Sequence, residues 1–306
     1  MNVFAAAASG ERTALPAPVS ARLCVSADAP ADAFSAAFPI RKSCGAFTDV
    51  RAFARDGSLL FDGIVDEQSE NARGGLLLTL RARSRAALLL DSEAMPQSYA
   101  RPSLPVIFAR HVAPYGFSDC RGGTAVYEGA LEVAKGMSEW QAAALFCSRF
   151  LGTVPRVRGT VFDASGEIPK GTAVFGTSGI RYSSLTRNRR PCDLLSEIFC
   201  RTEGGGNFVS AARCTEAEQL GILRKRYLTT PGADAEKLLK KAERRFCEVI
   251  LDCAGEPPAA LLARAEVRDP ALGRLTGLSV VQMEYEINSG GEHCRVTLRR
   301  SNHVAF

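Results

Sequence analysis

The sequence has no long apolar run and no recognisable export signal. A transmembrane helix needs about 18 or more consecutive apolar residues, and no stretch of this chain provides them. The first residues, MNVFAAAASGER, carry no basic segment ahead of their alanines and no long apolar segment. We therefore expect no membrane span, and we expect synthesis in the cytoplasm.

Histidine is scarce, and cysteine occurs without the spacing of a metal site. The three histidines are His111, His293 and His303, and they form no H-x-x-x-H pair and no Cys/His cluster. The ten cysteines contain no C-x-x-C pair, and most lie in apolar runs, where cysteine behaves as a small hydrophobic residue. The sequence predicts reduced, buried thiols, no metal site and no cofactor.

Catalytic signatures are also sparse. Gly176-Thr177-Ser178-Gly179 lacks a glycine position of a nucleophile elbow, and a hairpin turn explains it better. The best nucleophile–base pair is Cys120 with His111, which a Cys/His peptidoglycan hydrolase would need. Buried cysteine is common, so a buried thiol and a packing histidine are the favoured interpretation. We expect that the chain is not an enzyme, and a Cys/His peptidoglycan hydrolase is the alternative.

Composition and charge are those of an ordinary folded protein. Of 306 residues, 46% are hydrophobic and 23% are charged, which allows about two domains with a large core. The net charge of +5 is small for a dedicated nucleic-acid binder. One basic cluster stands out, in a hairpin-like segment: Arg181, Arg187, Arg189 and Arg190. A solvated surface is the first interpretation, and a partner interface or the lining of a DNA channel is the second.

The hydrophobic pattern predicts strands at both ends of the chain and helices between them. Alternating residues from Ala21 to Ser84 indicate strands, with a hairpin turn at Asp56-Gly57 and a short helix over 28–38. Helices are predicted from Ser103, from a capping box at Ser138 that ends near Gly152, and over 234–246. The predicted class is β-rich α+β, with two small antiparallel β-barrel domains joined by a helical connector. The predicted units are 1–95, 96–155 and 156–306, the last with C-terminal β-hairpins.

Several stretches resemble phage tail proteins. FDGIVDEQ, followed by LRARSRAALLLDSEAMPQSYARPSLPVIFARHVAPYGF, is similar to the N-terminal half of tail hub proteins of the Mu-like and XkdQ-like kind. SEWQAAALFCSRFLGTVPRV and GILRKRYLTT resemble their middle, and DPALGRLTGLSVVQMEYEINSGGEHCRVTLRR resembles their last hairpins. On this resemblance the chain is identified as a member of the superfamily of phage late control D proteins and the N-terminal part of VgrG spikes.

The resemblance implies a structural role in a contractile tail or injection system. Three copies with two related barrels each would form a baseplate hub, a ring that joins the sixfold tail tube to the threefold spike. The implied partners are two further copies, the tube protein, a separate spike protein and other baseplate proteins. The tape measure protein is an additional candidate, and DNA would pass through the lumen if the particle is a phage. The implied location is the tail baseplate of a virion or tailocin-like particle. A DNA-binding tail or head-completion protein is a further alternative.

Overall fold

Strands dominate both ends of the chain, and the structure, a computed structural model, describes residues 1–202, 204–230 and 234–301. The first strands are β1 (Asn2–Ala6), β2 (Arg12–Ala14), β3 (Ser20–Ser26), β4 (Ala33–Ile40), β5 (Asp49–Phe53), β6 (Leu59–Asn71) and β7 (Leu76–Ser84). Short strands follow: β8 (Gln97–Tyr99), β9 (Asp119–Arg121), β10 (Leu131–Val133), β11 (Arg156–Arg158) and β12 (Val161–Asp163). The last strands are β13 (Thr172–Gly176), β14 (Ser184–Arg189), β15 (Glu197–Arg201), β16 (Phe208–Arg213), β17 (Lys225–Leu228), β18 (Cys247–Ala254), β19 (Arg264–Asp269), β20 (Gly273–Asn288) and β21 (Gly291–Arg300).

Helices occupy the middle of the chain and one segment near its end. They are α1 (Ala86–Asp91), α2 (Leu104–His111), α3 (Glu139–Phe146), α4 (Thr215–Gln219) and α5 (Ala235–Phe246). A π-helical turn continues α3 over Cys147–Leu151. None of the helices in the described part of the chain is long and apolar enough to cross a membrane.

The predicted helix signals are confirmed where side chains cap the helix ends. The Ser138 hydroxyl accepts from the Gln141 backbone N–H at 3.2 Å, and the Gln141 side chain accepts from the Ser138 N–H at 2.8 Å. Gly152 ends the following turn in the left-handed region, at φ 67°. The Asp234 carboxylate accepts from the Lys237 N–H at 2.8 Å and caps α5. These signals are local, so the sequence alone predicts them.

The helix predicted over 28–38 is wrong, because its second half belongs to strand β4 (Ala33–Ile40). Phe34, Ala36 and Phe38 alternate onto the buried face of β4, and each is at most 3% exposed. The strand pairs with β3 along one edge and with β7 along the other. Pairing on both edges and burial of the alternating side chains outweigh the helix propensity of the alanines.

A single sheet of 13 strands joins the two strand-rich ends of the chain. The path of paired strands runs β14-β18-β21-β20-β3-β4-β7-β6-β5-β1-β2, and β19 branches from β20 and pairs with β13. The long strand β20 pairs with β19 through its first half and with β3 through its second half. Non-local pairing at β20 therefore links residues that are more than 250 positions apart.

The main core is also shared between the two ends. Leu23 and Phe38 from the first strands are buried in the same cluster as Val280, Tyr285 and Leu298 from the last strands. The β-rich α+β class is confirmed. Hydrogen bonds among the described strands form an open path, and β14 and β2 lie at its ends. The domain boundaries at residues 95 and 155 stay a prediction.

Candidate interaction surfaces

The predicted arginine cluster lies on and beside β14, at one end of the sheet. Strand β14 pairs antiparallel with β18 and, within the described residues, with no other strand. Its outer edge therefore carries unpaired backbone donors and acceptors. Arg187 and Arg189 belong to this strand, Arg181 precedes it by three residues, and Arg190 follows it directly.

The hairpin predicted for this segment is wrong. The turn at Ser178-Gly179 exists, but β13 before it pairs in parallel with β19, whereas β14 after it pairs with β18. Strands β13 and β14 therefore pair with distant strands and not with each other. Their partners, β19 and β18, bury apolar residues in the main core. The arginines therefore occupy the edge of a large sheet, where a second strand can still be added.

Arg187 lies on the core face of the sheet. Antiparallel partners share a face, and Arg187 stands opposite Val249, which stands opposite Leu298. Val249 and Leu298 are 2% and 0% exposed, whereas Arg187 is exposed. The apolar core ends at β18 in this row, and an inward-facing charge takes its place on the edge strand.

The four arginines are exposed and uncompensated. Within the described residues, none of their guanidinium groups forms a hydrogen bond or ion pair. The surrounding sequence is also basic: residues 181–246 contain 14 basic and 8 acidic residues, a net charge of +6. The remainder contains 24 basic and 25 acidic residues, a net charge of −1. All the positive excess of the chain is therefore concentrated in this region.

A second surface in this region was not predicted from the sequence. Strands β16, β15 and β17 form a small sheet, and α5 packs on one of its faces with Leu239 and Phe246 buried among sheet residues. On the outer face, Phe199 and Tyr227 stack with ring centroids 5.1 Å apart, and Phe208 meets Tyr227 edge-on at 5.4 Å. We call these three rings the aromatic face.

Basic side chains surround the aromatic face. Lys225 lies with its ammonium 5.4 Å from the centre of the Phe199 ring. Glu197 accepts from Arg213 at 3.0 Å and lies 3.9 Å from Lys225. A hydrogen bond from Ser210 and the nearby Arg213 hold the pKa of Glu197 below its usual value. One carboxylate thus faces two cations, which leaves this surface positive.

The enzyme alternative depends on His111, which is buried in a polar network between α2 and α3. Its Nε2 lies 2.8 Å from the Tyr99 hydroxyl, and its Nδ1 lies 2.5 Å from a Glu139 carboxylate oxygen. The other oxygen of Glu139 accepts from Tyr115 at 3.0 Å. His111 is only 1% exposed. Both ring nitrogens are occupied, which is the arrangement of a satisfied packing histidine.

Cys120, the proposed nucleophile, is not activated. Burial and the neighbouring carboxylates of Asp119 and Asp163 raise the pKa of its thiol to about 11. A cysteine nucleophile needs the opposite shift, because the thiolate is the reactive form. Tyr99 and Glu139 occupy the two ring nitrogens of His111, so within the described residues no hydrogen bond joins His111 to Cys120.

Within the described residues, His293 takes no part in a cluster of metal ligands. His293 lies 3.3 Å from Glu286 through its Nε2, and His303 lies outside the described residues. In the part of the chain that the structure describes, no three side chains of the metal-binding types converge.

Comparison with known proteins gives matches at the level of the fold. No family model matches the sequence, and no curated protein is similar to it in sequence. In structure the chain is similar to the tail protein from Neisseria meningitidis MC58, over 98% of this chain and 97% of that one, with a TM-score of 0.77 and 14% identity. It is also similar to the 43 kDa tail protein of prophage MuSo2 from Shewanella oneidensis, over 100% of both chains, with a TM-score of 0.77 and 12% identity.

A third similar structure comes from a secretion system. The E. coli c3393 protein, a component of the type VI secretion system, matches 94% of this chain over 75% of its own length, with a TM-score of 0.60 and 8% identity. At such identities the likeness concerns the fold. The predicted resemblance is therefore confirmed at that level: the chain has the fold of phage tail proteins and of a type VI secretion component.

Proposed function

We propose that the chain is a structural subunit of the baseplate hub of a contractile tail or injection system. The observation that carries this proposal is the end-to-end match with two tail proteins. The proposed partners are two further copies, the tube protein, the spike protein and other baseplate proteins. Three copies form a ring that joins the sixfold tube to the threefold spike.

Open sheet edges favour assembly into a ring. Strands β14 and β2 end the path of the main sheet, and an exposed edge is a ready template for another chain. A closed ring covers such surfaces with head-to-tail contacts that return on themselves. Each copy would then contribute one edge to the next copy or to the spike.

The arginine cluster is the proposed partner interface within this assembly. Arg181, Arg187, Arg189 and Arg190 repel one another, and no carboxylate of the described chain compensates them. Arg187 and Arg189 also project from the core face of an edge strand, where a copy of the same strand would meet like charges. An acidic neighbour is therefore favoured over pairing of β14 with itself.

Native mass spectrometry tests the trimer. The purified chain is expected as a trimer, or as a monomer that becomes a trimer when the spike protein is added. A stable dimer or hexamer, with and without the spike, would count against the ring.

A separate assay tests the structural role against catalysis. Incubation with peptidoglycan is expected to give no clearing. Clearing by the wild type that Cys120→Ala abolishes would show that the hydrolase alternative is right.

A further inference from the structure

The aromatic face is an apolar surface in a position where water is expected. Sheets with one covered side normally carry polar residues on the other side. Here α5 covers the inner side, yet the outer side carries three rings, with Tyr227 56% and Phe208 37% exposed. Contiguous apolar surface of this kind marks a site of interaction.

The orientation of the rings favours a protein over a nucleic acid. Single-stranded nucleic acids stack their bases on free aromatic faces. Phe199 presents one face to Tyr227, at an interplanar angle of 19°, and lies 5.4 Å from the ammonium of Lys225. Phe208 stands at 87° to Tyr227 and holds the pair in place. The rings already pack on one another, so they present a fixed apolar edge, which is suited to a pocket or ridge of a protein.

The charge around the face specifies the chemistry of the partner. The outer side of the sheet carries three basic side chains beside the rings, those of Arg201, Arg213 and Lys225. Strands β15, β16 and β17 contain one acidic residue among them, Glu197. A second copy that docked face to face would bring two positive surfaces together. An acidic surface on a different protein is complementary both to this side and to the net charge of +6 over residues 181–246.

Strand β16 adds a free edge beside the rings. Its sequence, FVSAAR, has no charge before Arg213, and five of its six residues are exposed. It pairs with β15 along one edge and, in the described chain, leaves the other edge open. An apolar open edge offers backbone hydrogen bonds to a partner that covers the rings.

We propose that the aromatic face, with its basic rim and the edge of β16, docks an acidic protein surface of another component of the same particle. The proposal rests on the proposed function only in placing the partner in that particle. It concerns a surface separate from the β14 edge and does not depend on a trimer.

Hydrogen–deuterium exchange on isolated chain and on purified particles tests this proposal. Peptides that cover residues 208–213 and 225–228 are expected to exchange at least tenfold more slowly in the particle. A particle that contains the chain with both segments unprotected overturns this inference and leaves the proposed function standing. A particle that lacks the chain overturns both.

Matched variants identify the side chains involved. Tyr227→Ser and Phe208→Ser are each expected to lower incorporation into particles by about tenfold, which is the effect of losing one aromatic anchor residue. The decrease relative to wild type should be larger at high salt. Phe4→Ser is the control, because Phe4 is 41% exposed and also packs edge-on against a ring, that of Phe53. Equal loss in all three variants overturns the proposal.

Two binding assays separate the other occupants. Isolated wild-type chain is mixed with a fluorescent oligothymidine, and its self-association is measured by sedimentation. Oligothymidine binding that Tyr227→Ser abolishes would assign the face to nucleic acid. Self-association that the same change abolishes would assign it to a second copy. Either result overturns the acidic-partner proposal.

Discussion

Two arginines of the main sheet, on strands separated by one other strand, differ sharply in how their charge is compensated. Arg299 on β21 is 9% exposed and donates to Glu248 at 2.8 Å and to Asp28 at 2.5 Å. Arg187 on β14, two strands away, is exposed and has no partner in the described chain. Glu248 lies on the strand between them, on the face opposite to that of Arg187. Carboxylates of the same chain thus compensate the buried arginine within the sheet, whereas the arginine on the edge strand is left to solvent or to another chain.

This difference separates the arginines that stabilise the fold of the chain from those that are available for assembly. A buried arginine without its carboxylates would destabilise the fold, so its partners must lie within the chain. An exposed arginine costs the isolated chain little, so its partner can be supplied later. Three predictions test this difference, from the interior of the sheet to its edge.

The largest effect is expected for Arg299→Met. Loss of the guanidinium removes the cation that pairs with Glu248, whose side chain is 13% exposed, whereas Asp28 is 47% exposed and keeps Arg244 at 3.9 Å. Breaking a buried pair in this way costs about 3–5 kcal/mol of unfolding free energy. Urea unfolding followed by circular dichroism measures the loss.

The control for this change lies on the same strand. Arg295 bonds to Asp252 at 2.9 Å, but its side chain is 55% exposed. Arg295→Met should cost no more than about 1 kcal/mol. Similar losses for the two variants would mean that burial does not distinguish these ion pairs.

An intermediate effect, of opposite sign, is expected for Asp32→Asn. Burial raises the pKa of Asp32 from its ordinary value of 3.8 to about 6, although Arg156 opposes the shift. Arg156 donates to the Ala27 carbonyl at 3.2 Å, and burial lowers its own pKa. Ionised Asp32 is therefore poorly compensated, and its neutral replacement should stabilise the fold at pH 7 by about 1–2 kcal/mol.

The pH dependence gives the sign of this effect independently. Between pH 3.8 and about 6 the folded chain binds more protons at Asp32 than the unfolded chain, so stability should fall as the pH rises through this window. Asp32→Asn should flatten that slope in thermal melts. Asp252→Asn is the control, because a hydrogen bond from Ser184 lowers the pKa of Asp252, so this change should destabilise at pH 7. An unchanged slope in Asp32→Asn would contradict the prediction.

The smallest effect on stability is expected at the edge. Replacement of Arg187, Arg189 and Arg190 by serine should change the unfolding free energy by within about 0.5 kcal/mol for each residue. Assembly should weaken, with a smaller difference from wild type at high salt, because screening already removes part of the attraction. Electron microscopy of complete particles counts the assemblies.

A charge-matched variant separates this surface from net charge. Arg41, Arg73 and Arg121 are exposed and lie outside the basic region, so their joint replacement by serine removes the same charge elsewhere. It should leave particle numbers unchanged. Equal numbers of intact baseplates for wild type and the edge variant would mean that the cluster is solvated surface.

Local signals were read correctly from the sequence. The capping box at Ser138, the helix over 234–246 and the helix end at Gly152 depend on residues within a few turns, so the pattern contains them in full. The predicted turn at Asp56-Gly57 is confirmed for the same reason, with Gly57 at φ 84° between β5 and β6. The arginine cluster was also evident, because a run of like charges is a property of the sequence itself.

Tertiary structure decided what each strand pairs with and which side chains meet. Phe199 and Tyr227 are 28 positions apart and stack because β15 and β17 pair in parallel, which no local period encodes. The segment around Phe34 is a strand because it pairs with β3 and β7 on its two edges. Strand β14 is an edge strand because β13 pairs with β19 and not with β14. Helix caps form from neighbouring residues, whereas strand pairing forms between distant ones and depends on burial of the whole sheet.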